Sequence, residues 1–90
     1  MSEVYLNMVR TYLQQELPEI YREHIKLNGQ KLVVVIPDTV NFSQAYESLL
    51  EIITDSINRI RNREMDLEFT IRSTIQERDF KILNKDGLVK

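Results

Sequence analysis

Leu32-Val33-Val34-Val35-Ile36, closed by Pro37-Asp38, is the longest unbroken apolar run in the chain. Three valines and an isoleucine are stiff at χ1 and favour extended backbone, so Lys31 to Pro37 reads as a strand. The run does not alternate polar and apolar, which is the pattern of a central strand covered on both faces. It is far short of the ~20 apolar residues a membrane helix needs.

Downstream, Asn41 to about Arg63 has the spacing of a long helix. Asn41 is placed to cap it, and Gln44 stands where a capping box is completed. Phe42, Ala45, Tyr46, Leu49, Leu50, Ile52, Ile53, Ile57 and Ile60 form its apolar side. That side spans ~160° of the helical wheel, whereas a surface helix needs only ~100° to face its core. The excess predicts contact with the sheet and, in addition, with the first helix or another subunit. Asp66 to Thr74 alternates, with Leu67, Phe69 and Ile71 on one side and Glu68, Thr70 and Arg72 on the other. This predicts a half-buried strand with one wet or partner-facing side. Phe80 to Leu83 is a shorter strand, with Ile75 to Asp79 as a connection or as a continuation of the strand before it. Asp86-Gly87 signals a turn, after which Leu88 to Lys90 pairs back briefly or frays.

Upstream, Tyr5, Met8, Val9, Tyr12 and Leu13 recur at helical steps, with Ser2 as N-cap and Glu3 at the positive end of the helix dipole. The pattern runs on through Leu17, Ile20 and Leu27, but Pro18 interrupts it. In an unbroken helix Glu16 would fall in the apolar stripe, where an unpaired carboxylate is costly to bury. A break or kink near Glu16–Pro18 follows, with Pro18 opening a second helical segment that ends at Asn28-Gly29. The expected fold is a single α+β domain over residues 1–90, in the order α-(α)-β-α-β-β. It has a three- to four-stranded mixed sheet, a right-handed parallel β-α-β unit, a terminal antiparallel hairpin and two long amphipathic helices packed on the sheet.

Composition narrows the function classes. There is no cysteine, which excludes disulfides, thiolate zinc sites and cysteine nucleophiles. The N-terminus lacks a signal-peptide pattern, so the expected location is cytoplasmic. Only Gly29 and Gly87 are glycines, so no glycine-rich phosphate loop can form. His24, the one histidine, cannot make a histidine-based metal site, and its default role is surface or helix-end packing. Glu19 with Glu23, and Glu47 with Glu51 and Asp55, are carboxylate pairs at helical spacing. Glu51, Asp55, Arg59 and Arg63 read better as an i,i+4 ladder of acid before base on a solvated helix face. No cofactor or metal is expected.

The net charge of −2 divides into −4 over residues 1–55 and +2 over residues 56–90. Arg59, Arg63, Arg72 and Lys81 are therefore the candidates for contact with a nucleic acid or an acidic partner. The acids interleaved among them, and a pI of 5.4, weigh against a nucleic-acid footprint. Tyr5, Tyr12, Leu50 and Ile52 are the candidates for a protein interface. The leading expectation is a non-enzymatic protein–protein interaction or oligomerisation module, acting as a homodimer or as a subunit of an assembly. A nucleic-acid-binding accessory protein comes second. A small enzyme with an inter-subunit site is the third class, and no residue pattern supports it.

Overall fold

The computed structural model describes residues 2–22, 24–60 and 65–84. The elements run α1 (Ser2–Glu16), α2 (Glu19–Arg22), β1 (Ile25–Asn28), β2 (Lys31–Val35), α3 (Phe42–Asn58), β3 (Leu67–Arg72) and β4 (Glu77–Ile82). The fold class is α+β with a mixed four-stranded sheet, and the spatial order of the strands is β1-β2-β3-β4. The β2 and β3 strands pair in parallel across α3, while β1/β2 and β3/β4 are antiparallel. The apolar run that starts at Leu32 thus lies in an interior strand.

One element departs from expectation. Ile25–Asn28 was expected to extend the second helical segment and is instead β1. The tetrapeptide Ile25-Lys26-Leu27-Asn28 fits a period of two as well as it fits a helix. A polar Asn-Gly pair suits a helix terminus and a hairpin turn alike. Pairing with β2 decides the matter: Asn28 stands opposite Lys31, leaving Gly29-Gln30 as a two-residue turn. Gly29 has φ +64° and Gln30 is not in the positive-φ region, as a type II′ hairpin requires.

The first helix stops at Glu16, and a short α2 follows, so the break near Pro18 is present. The Pro18 carbonyl accepts the Tyr21 N–H at 2.9 Å and opens that turn. At the head of α3, Asn41 Oδ1 accepts the Gln44 N–H at 3.0 Å, the capping bond expected from the sequence. The described helix ends at Asn58, with Arg59 as its C-cap. The third strand is shorter than its alternating pattern, and β4 starts earlier than expected, at Glu77. Between them Ser73 Oγ accepts the Ile75 and Gln76 N–H groups. The expected Asp86-Gly87 turn and the Leu88–Lys90 segment lie outside the described residues.

Both long helices lie on one face of the sheet. Cross-strand partners share a face, so register sorts the side chains. Ile25, Val34 and Ile71 form one row on the helix side; Leu27, Leu32, Phe69 and Phe80 form the next; Leu67 and Ile82 form a third. These rows meet Leu6, Val9, Leu13 and Leu17 of the N-terminal segment and Leu49, Ile53 and Ile57 of α3 in one core. Phe69 and Phe80 stack with centroids 5.0 Å apart, and Tyr46 meets Phe80 edge-on. The wide apolar side of α3 is accounted for within the chain. The helix touches α1 as well as the sheet, and Leu50, Ile52 and Ile60 pack half-buried against the core. No helix among the described residues is long and apolar enough to cross a membrane.

Candidate functional site

The second face of the sheet carries no element of the described chain. The same register maps it as a grid of three rows across four strands. Asn28, Lys31, Glu68 and Lys81 make the first row, and Lys26, Val33, Thr70 and Asp79 the second. The third holds Val35, Arg72 and Glu77, with His24 beside Val35, because the Val35 N–H donates to the His24 carbonyl at 3.0 Å. The expectation that β2 is covered on both faces is corrected here. Val33 and Thr70 are buried on this side, but no helix of the described residues lies over them.

Local chemistry on the grid is polar and weakly coupled. Thr70 Oγ1 donates to Asp79 Oδ1 at 2.6 Å. Lys31 reaches Asp79 at 3.7 Å, and Lys81 reaches Glu68 at 3.7 Å. These pairs are between 42% and 58% exposed, so water and salt screen them and each contributes at most about 1 kcal/mol. Lys26 and Glu77 have no ion-pair partner among the described residues. The Arg72 Nε is buried without a hydrogen-bond partner there. Lys31, Glu68, Asp79, Lys81 and Leu83 border an open concavity of about 420 Å³. Nothing in this set is arranged as a nucleophile with a base. Among the described residues no group of three His, Asp or Glu side chains is placed to hold a metal ion.

The candidates named from the sequence do not form one surface. Arg72 and Lys81 lie on the open face. Arg59 is elsewhere, at the end of α3, where its guanidinium binds Glu16 of α1 and Ser56 Oγ. Its partner is therefore Glu16 and not Asp55, which corrects the expected ladder. It also supplies the counter-charge that Glu16 needs at the helix break. Arg63 lies outside the described residues. Tyr5 is 4% exposed and belongs to the core, so it offers no surface to a partner. Tyr12 is half-buried on the outer side of α1, beside Val4 and Met8, which are 74% and 47% exposed. Leu50 and Ile52 are half-buried against the chain's own core. The residues missed are Lys26, Val33 and Val35. Their signal was the alternation of β3, whose polar side was legible as partner-facing. Extending that side to β1 and β2 required the strand order.

A second constellation ties the ends of the parallel strands. Asp38, just after β2, accepts the Thr74 N–H at 3.0 Å and also the Thr74 hydroxyl. The Thr74 bonds hold the Asp38 carboxyl below its ordinary value. On the helix side, burial pushes the Tyr46 hydroxyl up, against the opposing pull of Arg78, whose guanidinium lies 4.8 Å from the ring centroid. Both arrangements hold structure together and leave no group poised for proton transfer. Comparison of the chain with protein-family models, with curated proteins and with solved structures gives no match in any of the three.

Proposed function

We propose that this chain is a non-enzymatic protein-interaction module that docks a protein partner on the open face of its sheet. The observation that supports the reading is that no element of the described chain covers the second side of the four-stranded sheet, on which Val35 is half-buried among charged residues. A sheet this small gains from a second layer, because a domain of this size buries only about 60–65% of its unfolded surface. The grid mixes both signs of charge, which suits a protein surface better than a phosphate backbone. Among the described residues it also holds no Phe, Tyr or Trp on which a base could stack.

A photo-crosslinking residue at Val35 tests the reading, with the same residue at exposed Glu47 of α3 as the control. Expressed in its source cells, the Val35 form should yield a discrete protein adduct, identified by mass spectrometry and reproduced with purified components. The Glu47 form should not. Equal adduct yields at both positions, or none at Val35, would overturn the reading.

A further inference from the structure

We infer that the open sheet face is built to pair with the same face of a second copy of this chain, about a two-fold axis running along the strands. The inference rests on the interaction-module reading and names its partner. Place two such faces ~10 Å apart, the usual distance between packed sheets. A two-fold along the strands then lays β1 over β4 and β2 over β3, and it keeps each row over itself. Lys26 comes to face Asp79 of the second copy, Lys31 faces Glu68, and His24 faces Glu77. Val33 meets Thr70, Val35 meets Arg72, and Asn28 meets Lys81. Symmetry makes every one of these contacts twice.

The alternative aligned arrangement, with the two-fold across the strands, brings Glu68 over Arg72 and Lys81 over Glu77 but sets Lys26 over Lys26 and Asp79 over Asp79. Like charges in register oppose that arrangement. The two orientations make the same number of opposite-charge contacts, and only the two-fold along the strands avoids like charges in register. Lys26 and Glu77 have no ion-pair partner among the described residues, Lys31 and Lys81 are held only in loose pairs at 3.7 Å, and Asp79 keeps one carboxylate oxygen on the Thr70 hydroxyl at 2.6 Å. The free edges are less suited to self-association. Lys26 sits within β1, and Glu77, Arg78 and Asp79 begin β4, and charges of this kind discourage edge-to-edge pairing. Four strands of four to six residues give a footprint of about 300–400 Å² per copy, well under the ~800 Å² per partner of a standard interface. The dimer is therefore expected to be reversible, with a micromolar dissociation constant.

Sedimentation equilibrium across a concentration series, at low and at high salt, tests this. Wild type should dimerise in the micromolar range, and less tightly as salt rises. Lys26→Glu alone and Asp79→Lys alone each create two like-charge contacts, and each should weaken the dimer about tenfold. Mixed together, the two variants should form a heterodimer of near wild-type affinity, because every altered position then meets its complement. Glu47→Lys, on the outer side of α3, should change nothing. Lys31→Glu mixed with Glu68→Lys gives a second reciprocal pair, which decides the matter if Asp79→Lys fails to fold. A monomer at all concentrations would overturn the inference, as would a dimer indifferent to these charges, or reciprocal mixtures of folded variants that stay dissociated. A monomer that still crosslinks another protein through Val35 would remove the second copy while leaving the interaction-module reading standing.

Discussion

Truncating Phe69 to alanine should remove about 3–5 kcal/mol of stability, the range for losing a buried aromatic side chain with only partial collapse around it. Phe69 is fully buried on β3, an interior strand, with Leu32 beside it on β2 and Phe80 stacked 5.0 Å away on β4. The site is closed by α3, whose Tyr46 sits edge-on to Phe80 at 6.0 Å. Neighbours held in two sheet ladders cannot move in to fill the space, so the upper part of the range is expected. A domain of this length has about 5–13 kcal/mol in total, so the variant should sit near the edge of folding. Urea unfolding followed by far-UV circular dichroism measures this directly. At a slope of about 2 kcal/mol per molar, the midpoint should fall by about 2 M. Protein concentration must be kept below the dimerisation range, so that association does not add to the apparent stability. Phe69→Leu should cost much less, since it keeps most of the volume and forfeits the stacking, worth about 0.5–1.5 kcal/mol. A loss under about 1 kcal/mol for the alanine variant would mean that Phe69 is not enclosed as described, and the register between β2 and β3 would have to be wrong.

Two further predictions concern single bonds and angles. Asp38 has its carboxyl lowered by its bonds to Thr74, so its contribution to stability is present above the unfolded-state value and is lost as pH falls through the lower folded-state value. Stability measured by urea midpoints below about pH 4 should therefore fall less steeply with acid for Asp38→Asn than for wild type, and identical slopes would refute the role of this bond. Gly29→Ala places a Cβ that meets no atom within 4 Å, so any cost comes from φ +64° alone. Strain of about 1–2 kcal/mol, partly offset by a stiffer unfolded chain, should lower the melting temperature by several degrees, with Gly29→Asn milder. A neutral or stabilised Gly29→Ala would argue against the two-residue hairpin.

Much of this architecture is legible in local chemistry, and the exceptions are instructive. The α3 cap could be read from Asn41 because a side-chain acceptor three residues ahead of Gln44 is a local signal. The break at Pro18 could be read because proline and a misplaced Glu16 point the same way. The β1 strand could not, because Ile25 and Leu27 satisfy both periods and Gly29 supplies the left-handed residue that either a helix end or a hairpin wants. Only the cross-strand pairing of Ile25 with Val34 separates the two. The partner of Glu16 was equally hidden, since Arg59 lies far along the chain and reads naturally as a rung with Asp55. The open face was half legible. The alternation of Glu68, Thr70 and Arg72 marks a polar side, but the charges facing it across β1 and β2 follow only from the strand order. The surplus apolar surface of α3, which called for the first helix or another subunit, meets α1.

The identity between strand order in space and strand order along the chain bears on how the molecule assembles. Each outer pair is a hairpin of neighbouring segments, closed by a short turn and formed on the microsecond scale. Within the sheet, only the parallel seam, where Leu32 lies beside Phe69, joins distant parts of the chain. Closing that seam demands the largest loss of chain freedom before any contact repays it. The expected rate-limiting event is the closing of this seam under α3, so truncations at Leu32, Val34, Phe69 and Ile71 should slow folding more than truncations in the two outer strands, as φ-values would measure.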